Sequence, residues 1–127
     1  MKLDWRGCMV RDNWKVTGDG LWIAKTMKGC RIGFTPKVVA KMGNIRFMEL
    51  LTIGEIEEGE PLLIVETLKA VHEISVPISG EIVSINKKVF ESPELLTDQA
   101  WIIQMTNVKD MEYQKLPDYK QVEWQIG

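Results

Sequence analysis

Two apolar runs set close together constrain this chain more than anything else in it. Leu62-Leu63-Ile64-Val65 is followed by Glu66-Thr67-Leu68-Lys69-Ala70-Val71 and then by the alternating segment Ile74-Ser75-Val76-Pro77-Ile78. A short apolar run suits a buried strand, and period-two alternation suits a second strand with one face buried. The stretch between them, Glu66 to Val71, has the length of a hairpin loop. Its Glu, Leu, Lys and Ala would by propensity accept a helix. Gly80 closes the far side, however, and Ile74, Val76 and Ile78 hold to period two, so the pattern predicts a hairpin whose tip presents Lys69. Most exposed lysines are simply solvated. A lysine at such a tip can also enter another protein's active site without any part of the core unfolding, and its amine can be acylated.

The flanks carry a more specific signal. Glu66-Thr67-Leu68-Lys69-Ala70, then Val76-Pro77-Ile78-Ser79-Gly80-Glu81-Ile82-Val83 and Ser92-Pro93-Glu94-Leu95-Leu96, resemble the H protein of the glycine cleavage system. The resemblance runs from about Leu21 to Val108 and includes Gly33-Phe34-Thr35 and Gly59-Glu60-Pro61. The E-x-x-K-A to P-x-S-G-E spacing is fairly specific, whereas any single piece is weak. The resemblance implies a mostly β fold: a single barrel-sandwich hybrid of the lipoyl/biotinyl type, built of antiparallel strands, with a short helix near residues 36–42. It implies that Lys69 carries covalent lipoate, attached by a lipoate ligase or an octanoyl/lipoyl transferase. It also implies that the arm shuttles an aminomethyl group between glycine decarboxylase, aminomethyltransferase and dihydrolipoyl dehydrogenase. An ordinary lysine amine, with a pKa near 10.4, is neutral in about one molecule in a few thousand at pH 7, so acylation needs an enzyme.

Composition narrows the alternatives. With 127 residues the chain has room for one domain, and a domain of this size buries a little under roughly 70% of its unfolded surface. Sixteen basic against eighteen acidic side chains give a net charge of −2, which offers nucleic acid or anionic lipid no strong attraction. The start, Met1-Lys2-Leu3-Asp4-Trp5-Arg6, does not read as a signal peptide, and no segment is apolar enough to span a membrane, so a cytoplasmic monomer is expected. Cys8 and Cys30 form no C-x-x-C and His72 is the only histidine, so neither a metal site nor a nucleophilic triad is predicted. No catalytic residue is predicted, and the expected role is that of a carrier rather than an enzyme.

In chain order, residues 1–20 read as an N-terminal extension packing Trp5 and Trp14, residues 21–108 as the carrier domain, and 109–127 as a tail with a short helix before Pro117. Trp5-Arg6-Gly7-Cys8 resembles the amino-terminal extension of H-like lipoate-binding proteins linked to heterodisulfide-reductase-like sulfur oxidation. Leu21 to Ala24 and Cys30 to Phe34 read as paired strands around Lys28-Gly29. Thr35 and Pro36 open a helix to Met42, with the Thr35 hydroxyl as cap, Gly43-Asn44 as stop and Val38, Val39 and Met42 on the buried face. Ile45 to Leu50 alternates, with Ile45, Phe47 and Glu49 on one face. Glu55, Glu57, Glu58 and Glu60 read as a charged, solvated turn region, with steering of a basic partner as the functional alternative. Gly80 to Asn86 and Trp101 to Met105 read as strands, and Ser92-Pro93 as the start of a short turn through Leu96. Gly54-Glu55-Ile56 echoes Gly80-Glu81-Ile82 too faintly to count as a repeat.

Two departures from the family stand out. A glutamate that helps hold the loaded arm's amine usually precedes the first-strand tryptophan, where this chain has Leu21 before Trp22, and the loop Thr97-Asp98-Gln99-Ala100 is short. Lipoyl attachment is untouched by either, but they predict a poor substrate for glycine cleavage. The alternatives are a divergent H-like lipoate-binding protein serving another pathway, and a β domain that mediates interactions without modification. A biotin carrier is disfavoured, since methionines usually flank its lysine and Leu68 and Ala70 stand here.

Overall fold

A computed structural model describes residues 14–97 and 100–119. Among the described residues, nine strands form two antiparallel sheets. The larger has the order β1 (Lys15–Val16), β2 (Leu21–Lys25), β3 (Gly29–Phe34), β9 (Trp101–Thr106), β8 (Gly80–Ile85), β5 (Gly54–Ile56); the smaller has the order β4 (Ile45–Leu50), β6 (Pro61–Thr67), β7 (Val71–Ser75). Among the described residues, three short helices accompany them: α1 (Pro36–Met42), α2 (Lys87–Glu91) and α3 (Asp110–Lys115), with a 3₁₀ turn at Pro93–Leu95.

The main core lies between the sheets, where Ile23, Ile32, Phe34, Leu62, Leu63, Val65, Ile78, Ile102, Ile103 and Met105 are almost wholly buried. β2 is buried on both faces: Leu21 and Ile23 enter the main core, while Trp22 and Ala24 join Val16 and Tyr119 in a second cluster. Trp14 stacks on Trp22 at 4.3 Å between ring centroids and meets Tyr119 edge-on at 6.0 Å. Trp14 thus packs on β2 through Trp22; Trp5 and Cys8 lie outside the described residues.

Helix α1 has the predicted bounds, and Val38, Val39 and Met42 pack on the core as expected. Its cap differs. The Thr35 hydroxyl makes no capping bond, and the residue is buried, its N–H donating to the Gly20 carbonyl at 2.9 Å and its own carbonyl accepting from Val39 N–H at 3.0 Å. Packing against the 14–20 segment took precedence over the cap. Ser92 likewise caps through its carbonyl, which accepts from Leu95 N–H at 2.8 Å. Helix α2, following Asn86, had no counterpart in the sequence reading, whereas the short helix before Pro117 is present as α3.

In β4 the expected alternation breaks. Ile45 pairs with Thr67 but Phe47 pairs with Glu66, so one residue bulges and the register shifts. Ile45 packs on the core while Phe47 faces solvent; a bulge changes which face the following side chains take. The charged turn at Glu55 to Glu60 overlaps the end of β5, and the two echoing triplets lie side by side: Gly54 opposite Ile82, Glu55 opposite Glu81, Ile56 opposite Gly80.

Candidate functional site

Lys69 sits at the tip of the β6–β7 hairpin, as the pattern predicted, on a shorter loop. Glu66 and Val71 pair as the last rung, and only Leu68, Lys69 and Ala70 lie between the strands. The strand runs on through Thr67 because that β-branched side chain is buried and its backbone N–H donates to the Ala70 carbonyl at 2.9 Å. The Thr67 hydroxyl then gathers the loop, accepting from Lys69 N–H at 3.3 Å and Ala70 N–H at 3.2 Å while lying 3.2 Å from the Ala70 carbonyl, to which it can donate. A hydroxyl that binds amides two and three residues on imitates a backbone turn. The tip backbone is thus held from below. The Lys69 side chain is exposed and, among the described residues, forms no ion pair.

The second strand stops earlier than expected, at Ser75. Val76 and Ile78 stay buried, but Pro77 has no N–H for a ladder, so their period-two pattern reports burial rather than strand. Beyond it the P-x-S-G-E motif serves the frame. The Ser79 hydroxyl accepts from Glu58 N–H at 2.9 Å, and Ser79 N–H donates to the Glu112 carboxylate at 2.7 Å, tying the hairpin's base to α3. Gly80 packs against β9 so closely that a Cβ there would lie 2.9 Å from the Thr106 carbonyl oxygen and 3.0 Å from Val108 Cγ1.

A groove of about 500 Å³ runs along the open edge of β7, lined by Val38, Lys41 and Met42 of α1, by Val71 to Ser75, and by Asp19. His72, the single histidine, belongs to this wall. Leu21 does not line it; its side chain is 2% exposed and part of the main core. Asp19 and Glu73 are the acidic residues among those that line it. Sequence reading missed both, together with Thr67. A threonine ending a strand two residues before an exposed loop residue was the available signal for Thr67, while nothing local marks Asp19, which reaches the groove only through the packing of α1.

A second hollow of about 560 Å³ lies at the opposite end of the hairpin, among Glu55, Glu57, Glu60, Glu81 and Lys109. There the Glu60 carboxylate accepts from Glu57 N–H at 2.6 Å, so part of this charge shapes a turn. Cys30 is buried with a free thiol pushed up to about 12 by desolvation, which makes it inert. Among the described residues there is no metal-ligand cluster, and no helix is long and apolar enough to cross a membrane.

Residues 14–126 match the family model described as Glycine cleavage H-protein. The chain is 32% identical over 114 residues to the glycine cleavage system H protein of Bacillus subtilis, covering 86% of this chain and 90% of that one. It is 30% identical over 108 residues to the probable glycine cleavage system H protein 1, mitochondrial, of Dictyostelium discoideum, covering 80% and 74%. The crystal structure of a glycine cleavage system H protein from Mycobacterium marinum superposes with a TM-score of 0.72 at 27% identity, covering 93% of this chain and 99% of that one. The two antiparallel sheets and short helices are thus the lipoyl-type hybrid fold that the motif implied. Sequence, family model and architecture agree over nearly the whole chain: it belongs to the glycine cleavage H-protein family.

Proposed function

We propose that Lys69 carries a lipoyl group in amide linkage and that the protein serves glycine cleavage as the carrier visited by the decarboxylase, the aminomethyltransferase and the dihydrolipoyl dehydrogenase. The observation that carries this reading is the placement of Lys69: exposed, in no ion pair among the described residues, and on a three-residue loop pinned by Thr67. These residues fit the group. An exposed primary amine on a fixed backbone can enter a ligase, and the chain beneath need not move for it to do so.

Attachment is a simple acyl transfer. The neutral Lys69 amine attacks the carbonyl carbon of an acyl-adenylate, the amide C–N bond forms, the bond to the adenylate oxygen breaks with its electron pair, and the amine's proton passes to solvent. When bound, the lipoyl group supplies a disulfide that opens and closes, redox chemistry that the protein's own side chains lack. The chain supplies position: tethering raises the arm's effective concentration wherever a partner docks. Asp19 places negative charge at the groove beside the loop, which suits a cationic load and stands in for the missing carboxylate at position 21. This favours glycine cleavage over a divergent pathway.

Intact-mass spectrometry of the protein from cells that make lipoate tests the reading. A single lipoyl adduct is expected, absent from Lys69→Arg, which keeps the charge and blocks acylation. An adduct that persists in Lys69→Arg removes the site assignment; a biotin mass would point to a biotin carrier, and an unmodified chain to an interaction domain.

A further inference from the structure

The outward face of the β4–β6–β7 sheet is built in rungs. Strand register puts Phe47, Glu66 and Val71 in one rung directly below the loop, and Glu49, Ile64 and Glu73 in the next. Residues paired across antiparallel strands share a face, and here that face points to solvent: Phe47 is 50% and Val71 62% exposed, and the three glutamates are exposed. The alternate rung, Met48, Val65 and His72, turns inward, with Met48 and Val65 buried.

Neither half of this pattern serves the fold. An aromatic and a valine left in water forgo burial, and Leu68 in the loop adds a third exposed apolar side chain, 70% exposed. Among the described residues, Glu49, Glu66 and Glu73 form no ion pair, and like charges gathered on one face repel. Apolar side chains ringed by unpaired carboxylates instead have the composition of a binding face: a desolvated centre with a charged rim.

We infer that this face is the docking surface for the enzyme that acylates Lys69, and that the enzyme meets it with an apolar patch rimmed by arginine or lysine. The inference rests on Lys69 being the attachment site. Reach selects the partner. Before modification the amine extends only one lysine side chain from the loop, so an acylating enzyme has to cover the loop, and the rung beneath falls within its footprint. Partners of the finished arm are served at longer reach and can dock elsewhere. The other face of the sheet is closed by the core.

The test uses the full chain with a purified lipoate–protein ligase, lipoate and ATP, following mass gain with time at several substrate concentrations. Phe47→Ala and the pair Glu49→Lys/Glu73→Lys alter exposed positions and should melt as wild type does. Each is expected to lower kcat/KM about tenfold or more, chiefly through KM, with the charge-reversed pair also losing most of the salt dependence seen in wild type. Glu55→Lys/Glu57→Lys, an equal change of net charge at the far end of the hairpin, should acylate as wild type. Unchanged kcat/KM in both face variants, or an equal loss in the control pair, overturns the inference. Wild-type protein that takes up no lipoyl group at Lys69 would instead remove the functional reading beneath it.

Discussion

The hydroxyl oxygen of Thr67 lies 3.3 Å from the backbone nitrogen of Lys69 and accepts its N–H. The same oxygen accepts from Ala70 N–H at 3.2 Å, so one buried side chain fixes the orientation of the loop that presents the lysine.

Replacing Thr67 by Val keeps the branched shape and removes the acceptor. Two loop amides then lose their partner, which should lower stability by about 1 to 2 kcal/mol. Acylation of Lys69 by a purified ligase should slow more than the small change in melting temperature explains. Serine at this position should restore most of the rate. An acylation rate equal to wild type in Thr67→Val would show that the loop needs no such support.

Gly80→Val should destabilise by about 1 to 3 kcal/mol through overpacking. The reason is close approach: the added Cβ would press on the Thr106 carbonyl at 2.9 Å and on Val108 at 3.0 Å, on a strand paired to β9. Urea unfolding measures it, and lipoylation should fall only as far as the folded fraction does. An unchanged unfolding midpoint would contradict the packing seen here.

Leu21→Glu would not bring a carboxylate to the groove beside the loop. Position 21 is 2% exposed and belongs to the main core, so the substitution buries an unpaired charge and should cost at least about 3 kcal/mol. Asp19→Asn, which alters a residue lining the groove, is the informative change for retention of a cationic load. It should shorten the lifetime of the loaded arm while leaving the melting temperature within a degree or two. A stable, fully folded Leu21→Glu protein with a longer-lived loaded arm would reverse both assignments.

Alkaline pH should weaken the fold from about pH 9 upward. Burial pushes the Cys30 thiol up from 9.0 to about 12. Desolvation is also the main cause that raises the Tyr113 hydroxyl from 10.0 to about 12. In the unfolded chain both ionise at lower pH, so between the unfolded and folded values the folded state holds more protons. Stability from these groups is therefore complete below about pH 9 and declines as pH rises toward 12. The stability difference between wild type and Cys30→Ala should be constant from pH 7 to 9 and shrink above it. Native Cys30 should resist alkylation at pH 8 until urea exposes it; rapid modification of the folded protein would contradict this.

Much of the fold was legible because hydrophobic period and turn residues are local signals. Strand positions at Leu21, Cys30, Leu62, Gly80 and Trp101, helix α1 between Pro36 and Gly43, and the lysine at a hairpin tip all follow from residues within a few positions of each other. Helix α2 was not legible, since Lys87 to Glu91 carries a single buried residue, Val89, and no apolar stripe. Phe47 was placed with Ile45 because alternation assumes an unbroken strand, and the bulge that separates them comes from pairing with β6.

The sequence by itself determined that a β hairpin presents Lys69, because two apolar runs of strand character flank a short loop closed on its far side by Gly80. Only the tertiary structure decided what stands around it. Thr67 became the loop's anchor because its side chain is buried, Leu21 became core and Asp19 groove because of how β2 and α1 pack, and Phe47, Ile64 and Val71 met Glu49, Glu66 and Glu73 on one face because three strands paired in a particular register. Period and propensity act over a few residues, whereas register and burial depend on contacts between segments distant in the chain, and these set the surroundings in which each side chain does its chemistry.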